Sequence, residues 1–296
     1  MNIFFILGCP RSGTTLLQQA LNRHSQIVIP PETDFFFLGR TRRSQGKSIQ
    51  KINMDLGIRI PIPGKLIRDD EDWSRLYLDI ADNYVSSVLG RSATFFGDKT
   101  PHHLLRIRAI KRLFPDAHYI VIYRDGRDVA LSLRNVPWEQ PNLYTCFALW
   151  LRCYRIQAWL QLHSPRHLLC VKYEDFVASP AVVLSEITRF LGISYEEAMA
   201  MSFGNREGIL PREYGWKANA LKPISKARVG VWRAELSERQ KVDLVRLGGT
   251  ALRALGYEVG ENLGNSFPLV LYAQMYGGLA FRKMKIICKI IASEWF

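Results

Sequence analysis

Cysteine and long apolar runs are scarce in this chain of 296 residues, internal repeats are absent, and each absence excludes a class of protein. The five cysteines are scattered, odd in number and never spaced as CxxC, which argues against a disulfide framework or a metal site and favours a reducing compartment. No run of about 18 apolar residues occurs, so no membrane-spanning helix is predicted. The start at Met1 lacks the features of a signal peptide, and a cytoplasmic location is expected.

Acidic residues are also in the minority, with 27 Asp and Glu against 40 Lys and Arg. The resulting net charge of +13 suits an anionic partner such as a nucleotide, a sulfated or phosphorylated ligand, nucleic acid or an anionic membrane. Solubility alone is the alternative explanation. Because no recognised nucleic-acid-binding module is found, nucleic acid is not predicted as a partner.

Short apolar runs alternate with segments of helical spacing, which predicts an α/β fold with a central parallel sheet flanked by helices. Segments 39–68 and 203–225 carry no such pattern, and they are interpreted as a lid or rim. The predicted strands are 3–7, 27–29, 94–97, 118–123 and 167–173. The predicted helices are 14–22, 73–89, 104–114, 129–133, 144–162 and 180–191.

A glycine loop follows the first strand, where residues 8–15 read GCPRSGTT. The frame G-x-x-x-x-G is that of a phosphate-binding loop, but Thr14 stands where a P-loop NTPase has its lysine. Backbone N–H groups at a helix N-terminus bind an anion without a lysine, and Arg11 and the hydroxyls of Thr14 and Thr15 can add hydrogen bonds. The loop therefore suits one phosphate group better than a Mg²⁺-triphosphate. A tight structural turn is the alternative.

A second candidate anion site lies in residues 123–133, which read YRDGRDVALSL. Arg124 stands at the carboxyl end of a predicted strand, where ligands bind in open α/β sheets. Ser132 follows eight residues later in the next helix and can face the same anion. The alternative is that the charged side chains of RDGRD pair with one another on the surface.

With both loops present, the chain resembles the sulfotransferases that use 3′-phosphoadenosine 5′-phosphosulfate (PAPS), in their bacterial and protein-tyrosine sulfotransferase-like branch. In that family a P-R-S-G-T-T loop holds the 5′-phosphosulfate, and an arginine and a serine eight residues apart hold the 3′-phosphate. PAPS has no γ-phosphate and requires no Mg²⁺, so the missing lysine is explained and no metal site is expected. The resemblance assigns donor contacts to Arg11, Ser12, Gly13, Thr14, Thr15, Arg124 and Ser132.

Four further segments match the family in order: 29–36 (IPPETDFF), 97–101 (GDKTP), 172–176 (KYEDF) and 225–233 (SKARVGVWR). The resemblance makes Glu32 the general base and places Lys99 near the transferring sulfuryl group. It also implies that the nucleotide is contacted by Tyr173, Ser225, Gly230 and Trp232.

The reaction implied is in-line transfer of a sulfuryl group from PAPS to a hydroxyl or amine of a small-molecule, glycan, lipid or peptide acceptor. Arg11, Lys99 and the loop N–H groups would stabilise the leaving phosphate. His102 and His103 are alternative candidates for the base, and the phenylalanines at 35–37 line an acceptor pocket or belong to the core.

Two other functions are weighed. A nucleotide kinase would fit the strand–loop–helix alone, but Thr14 counts against it. A non-catalytic nucleotide-binding protein would not need Glu32 and Lys99 at the positions where the resemblance expects them.

The expected organisation is a sulfotransferase domain over 1–262 and a basic amphipathic extension over 263–296. Residues 279–291, LAFRKMKIICKII, place basic and apolar side chains on different helical faces. Such a helix can lie on an anionic membrane, and a terminal helix packed on the core is the favoured alternative.

Overall fold

Five parallel strands form one sheet in the order β2-β3-β1-β4-β5. Each predicted strand is present with bounds shifted by at most a residue, and the predicted α/β class is confirmed. The strands are β1 Asn2–Leu7, β2 Ile27–Val28, β3 Phe95–Asp98, β4 His118–Tyr123 and β5 Leu168–Lys172.

The computed structural model describes residues 1–39, 41–89, 93–136, 142–201 and 206–260. The predicted extension 263–296, with its candidate membrane helix at 279–291, lies outside the described residues. Among the helices of the described ranges, none is both long and apolar enough to cross a membrane.

Helices cover both faces of the sheet. The first six are α1 Thr14–Leu21, α2 Arg42–Leu56, α3 Asp70–Asn83, α4 Ile107–Leu113, α5 Gly126–Arg134 and α6 Leu143–His163. The others are α7 Tyr173–Ala178, α8 Pro180–Leu191, α9 Tyr214–Lys217, α10 Trp232–Glu235 and α11 Glu238–Ala254. Short 3₁₀ segments include Phe35–Phe37, Pro101–Arg106, Ala218–Leu221 and Lys226–Arg228.

The alternation of side chains along the central strands creates two apolar cores, one on each face of the sheet. In β1, Phe5 and Leu7 point into the core that includes residues of α3, α5, α6 and α11. Phe4 and Ile6 point the other way, into the core shared with α1 and α8. A strand covered on both faces has to be apolar throughout, which explains the uninterrupted run in the sequence.

The chain order places a crevice at the carboxyl ends of β1 and β4. From β1 the chain first builds β2 and β3 on one side of the sheet, and only later adds β4 on the other. The loops that follow β1 and β4 therefore leave their strands next to each other but lead in different directions. This is the position at which open α/β sheets bind ligands.

Segment 39–68, interpreted above only as a lid or rim, contains a helix that packs into the core. Its described residues contain α2, whose Ile49, Ile52 and Leu56 belong to the core on one face of the sheet. Thr41 starts the helix by accepting the backbone N–H of Ser44 at 3.2 Å. The many polar residues of the segment hid this narrow apolar stripe, since they form the solvent face of the same helix.

Two predicted helices also differ in detail. The helix predicted over 73–89 is α3 followed by a π-helical turn, Tyr84–Leu89. The one predicted over 104–114 begins as the 3₁₀ segment Pro101–Arg106 before α4. The sequence analysis did not predict α11.

Candidate functional site

The loop between β1 and α1 is shaped by two left-handed residues. Arg11 has φ 74° and Gly13 has φ 102°, and the Ser12 N–H donates to the Cys9 carbonyl at 3.1 Å. A side chain at Gly13 would also collide with the Tyr173 ring, since an added Cβ would lie 2.5 Å from Cδ2. The loop thereby turns directly into α1, whose first backbone N–H groups have no partner within the helix and can bind an anion.

Arg11 and Arg124 connect this loop to the end of β4. Arg11 donates from Nε to the Ser132 hydroxyl at 3.0 Å and from Nη1 to the Trp216 carbonyl at 2.9 Å. Arg124 donates to the Arg11 carbonyl at 3.4 Å and lies over the Tyr173 ring, 4.6 Å from its centroid. The structure thus brings together residues from both predicted anion sites and from the KYEDF segment.

The charged residues of RDGRD do pair with one another, as the alternative interpretation proposed, but they are buried. Arg127 forms a two-pronged ion pair with Asp125, at 2.9 and 2.7 Å. Arg124 Nη2 lies 3.4 Å from the Asp128 carboxylate. The pairing orders this corner of the fold and leaves Arg124 at the wall of the central cavity described below.

Asp128 holds residues 225–233, called the late loop here, over this corner. Its carboxylate accepts the backbone N–H groups of Gly230 at 2.8 Å and Trp232 at 2.9 Å, and Arg124 donates to the Arg228 carbonyl. Burial raises the pKa of Asp128, while Arg124 and the two N–H groups lower it. The late loop is therefore attached to the edge of the sheet where Arg124 lies.

A cavity of about 320 Å³ lies between these elements. Its wall includes the side chains of Arg11, Arg124, Lys217 and Arg228 against two acidic ones, Asp128 and Glu235, which leaves an excess of positive charge. Burial and the neighbouring charges of Arg124 and Arg228 lower the pKa of Arg11. Such crowding of cations is unfavourable by itself and is relieved by a bound anion. From the predicted donor contacts the cavity receives Arg11, Gly13, Thr14, Thr15, Arg124, Ser132 and Tyr173.

Four predicted nucleotide contacts from the late loop or the glycine loop do not line the cavity. Ser225 is exposed, Gly230 and Trp232 bond Asp128 through their backbone, and Ser12 is buried behind the loop. The late loop instead contributes Arg228 and Val231 to the wall.

Glu32 lies between two lysines next to the cavity. Its Oε1 accepts from Lys99 Nζ at 2.5 Å and from Lys217 Nζ at 2.7 Å, and Lys99 also lies 3.5 Å from the Thr15 hydroxyl. Burial raises the pKa of Glu32, but the two ammonium groups lower it more, so its pKa lies far below the usual range. Burial lowers the pKa of Lys99 to about 8, against the attraction of Glu32.

Lys217 was missed by the sequence analysis. It is 7% exposed, pairs with Glu213 at 2.9 Å as well as with Glu32, and lines the cavity. Burial lowers the pKa of Lys217, but the carboxylates of Glu32 and Glu213 raise it by more than that, so the pKa lies above the usual value. Its segment, 203–225, was predicted only as a lid or rim, and no motif distinguishes this lysine from its neighbours.

His103 occupies a structural position. It is fully buried, its Nδ1 lies 3.1 Å from Asp98 Oδ1, and its Nε2 accepts the Phe36 N–H at 3.4 Å. Both ring nitrogens therefore face groups of the protein interior, and this arrangement gives His103 no route to an acceptor. His102 is half-buried on the same 3₁₀ segment.

The three phenylalanines divide between the two alternatives. Phe35 is buried against Trp73 and Tyr77, and Phe36 packs on Phe5. Phe37 is 36% exposed, with Arg106 over its ring. Phe36 is partly buried, and Phe37 is the most exposed of the three and offers an acceptor the most surface.

Metal ligands do not cluster in the described ranges, where no group of three or more His, Cys, Asp or Glu side chains is placed to hold an ion. No disulfide bond joins the described cysteines, which are Cys9, Cys146, Cys153 and Cys170.

Comparison with known proteins gives one family. A sequence model described as the sulfotransferase family matches residues 4–197, which include β1 to β5, the glycine loop, Glu32, Lys99 and Arg124. The match ends before the segment that carries Lys217.

Individual relatives agree with this. The chain is 28% identical to the nodulation protein NoeE of Sinorhizobium fredii, covering 86% of this chain and 66% of that protein. It is 24% identical to protein-tyrosine sulfotransferase A of Caenorhabditis elegans, covering 88% of this chain and 68% of that one. The chain thus spans about two thirds of the length of these relatives.

The solved sulfotransferase domain from the Synechococcus PCC 7002 olefin synthase superposes with a TM-score of 0.63 at 23% identity. The superposition covers 88% of this chain and 96% of that domain, which shows that the two share a fold.

Proposed function

The chain belongs to the sulfotransferase family, and from this we propose that it transfers a sulfuryl group from PAPS to a hydroxyl or amine of an acceptor. One observation carries the proposal: a single cationic cavity receives both anion-binding motifs, and Lys217 in its wall is paired with the Glu32 carboxylate, which also accepts from Lys99. A nucleotide-binding protein without catalytic activity would need the first feature but not the second.

The donor would lie with its phosphosulfate on the glycine loop and its 3′-phosphate near Arg124 and Ser132. The loop offers the N–H groups of the α1 N-terminus, and Arg11 reaches Ser132 across the cavity at 3.0 Å. Arg124 is buried, which restricts its side chain to few rotamers. The 3′-phosphate would therefore bind a cation that is already held in position.

In the transfer step, the bond between sulfur and the bridging oxygen of the donor breaks while the acceptor oxygen or nitrogen bonds to sulfur. The electron pair of the broken bond stays on the leaving phosphate, 3′-phosphoadenosine 5′-phosphate (PAP). Lys99 and Arg11 would stabilise the charge that develops there. The acceptor proton would pass to Glu32.

Glu32 is suited to this role by the way its two oxygens differ. Both ammonium groups reach Oε1, and among the described residues no hydrogen bond is made to Oε2. Because its pKa is low, Glu32 stays ionised throughout the working range and is a weak base. It would take the proton only as the acceptor atom bonds to sulfur and becomes acidic.

A nucleotide kinase is not favoured. The position of the P-loop lysine is held by Thr14, which is buried, and the lysine nearest the loop, Lys99, is paired with Glu32. A triphosphate would lack the cation that normally reaches its terminal phosphates.

The first prediction concerns donor recognition. Chelation of divalent metal is expected to change the affinity for PAP by less than about threefold. PAP is also expected to bind roughly tenfold or more tightly than AMP, because only PAP carries the second phosphate. Isothermal titration calorimetry with and without EDTA measures both. Equal affinity for AMP, or strict dependence on Mg²⁺, would refute the two-site arrangement.

Mass spectrometry of tyrosyl peptides, oligosaccharides and small phenols incubated with PAPS then tests for an added sulfo group.

Arg124→Ala is expected to weaken PAP binding by about tenfold to a hundredfold and AMP binding only slightly, since a charge-assisted hydrogen bond contributes roughly 1.5–3 kcal/mol. Arg134→Ala is the matched control, because Arg134 lies at the end of α5, the helix that follows Arg124, and does not line the cavity. Calorimetry with both nucleotides decides the point. A parallel loss for PAP and AMP would make Arg124 a structural residue, acting through Asp128 and the late loop.

A further inference from the structure

Lys217 differs from Lys99 in what it faces. Lys99 is 1% exposed and is not itself part of the cavity wall; among the described residues its ammonium donates to Glu32 and to the hydroxyl of Thr15, which does line the cavity. Lys217 donates to the same oxygen of Glu32 from a different segment of the chain, and it also lines the cavity. It is therefore the cation that spans the distance between Glu32 and the donor space.

The segment that carries Lys217, residues 206–221, is fastened at both ends and is called the roof here. At its start, Gln18 donates to the Gly208 carbonyl at 3.0 Å, and Arg212 forms a two-pronged ion pair with Asp55 of α2 at 2.7 and 2.6 Å. Near its end, Arg11 of the glycine loop donates to the Trp216 carbonyl. These attachments fix the backbone of Lys217 against the glycine loop.

The charges around Glu32 leave one ammonium group in excess on its Oε1. Two cations share one oxygen, and each repels the other across a short distance. Lys217 has a second carboxylate, Glu213, on the preceding turn of the roof and remains neutralised if it moves away from Glu32. An anion in the cavity next to the glycine loop would draw this lysine first, because Lys99 is enclosed.

We propose that Lys217 is a catalytic residue whose ammonium contacts the sulfuryl group of the donor and bridges it to Glu32. The proposal rests on the proposed sulfotransferase function. The roof would then place the positive charge of Lys217 next to the sulfuryl group, besides covering the donor. Lys217 lies outside every motif that identifies the family.

The test compares two ligands that differ only in the sulfuryl group. In calorimetry without an acceptor, Lys217→Met is expected to lower the affinity for PAPS by about tenfold and the affinity for PAP by less than about threefold. The reason is that only PAPS carries the sulfuryl group that Lys217 would contact. Lys222→Met is the control, since Lys222 is an exposed lysine just beyond the roof. Equal losses for both ligands, or no loss for either, would overturn the proposal. Near-native PAP binding verifies that the variant is folded, and Lys217→Gln, which also removes the charge, repeats the test if Lys217→Met does not fold.

A double-mutant cycle separates direct contact from an effect through Glu32. If Lys217 only neutralises the Glu32 carboxylate, Lys217→Met should have no effect on PAPS affinity in a Glu32→Gln background. If it touches the sulfuryl group, the selective loss should persist there.

The outcomes also distinguish this proposal from the function on which it rests. A wild-type protein that binds neither PAP nor PAPS would refute the donor assignment itself. A wild-type protein that binds both, with a Lys217 variant that loses both equally, would refute only the role of Lys217.

Discussion

Glu32→Gln is expected to slow sulfuryl transfer by roughly 10²–10⁴-fold, the usual range for the loss of a general base. The affinity for PAP should stay within a few-fold, because Glu32 does not line the donor cavity. The glutamine keeps the shape of the side chain and its carbonyl oxygen can still accept from Lys99 and Lys217, while its ability to take a proton is removed. Single-turnover transfer to an acceptor found by mass spectrometry measures the effect.

The same substitution has an electrostatic side effect that the experiment has to separate. Without the Glu32 charge, the pKa of Lys99 falls further, since the attraction that opposes burial is gone. Rates therefore need to be compared over a range of pH, and a true base defect persists below neutral pH, where Lys99 is protonated. His102→Gln is the control variant. If Glu32→Gln reacts at the wild-type rate and His102→Gln abolishes transfer, the base is the histidine.

The sheet could be predicted from the sequence because its information is local. Each central strand is a short apolar run that ends in a polar or glycine-containing loop, and the order of strands and helices restricts the topology. The helix α2 could not be recognised in this way. Its buried side is a narrow stripe that includes Ile49 and Ile52 within a basic segment, and only packing against the core shows its value.

The candidate site divides along the same line. Residues of the glycine loop, Arg124 and Ser132 are identified by spacing within short motifs, and the structure gathers them around one cavity. Lys217 joins Glu32 across 185 positions of the chain, and nothing near it in sequence predicts that encounter. For the late loop, the resemblance implied nucleotide contacts from Ser225, Gly230 and Trp232, but the residue of this loop that lines the cavity with a charge is Arg228, whereas Ser225 is exposed.

Asp128 explains why the late loop is hard to predict from a motif. It lies within the RDGRD segment, and the backbone of Gly230 and Trp232 is what it holds. Backbone contacts put few demands on side-chain identity, so the spacing of the loop can vary while its attachment is kept.

Lys99→Met is expected to lower the rate of transfer by about 10²–10³-fold, comparable with the loss of one fixed group that stabilises developing charge. The side chain is almost fully buried, and methionine has a similar length and shape, so the loss should fall on the charge more than on packing. The defect should be largest for donors whose leaving phosphate is most basic, because these depend most on a cation at the bridging oxygen. Equal defects for all donors would exclude a role at the leaving group.

The pH dependence of the wild-type protein provides an independent check on the same residue. Lys99 stabilises the leaving group only when protonated, and burial lowers its pKa to about 8. The kcat/KM for PAPS, which reports the free enzyme, should therefore be constant near neutral pH and fall as the pH rises through about 8. Lys99→Arg keeps a charge that does not titrate in this range, so its remaining activity should show no such decline. A decline that persists unchanged in Lys99→Arg would assign it to another group.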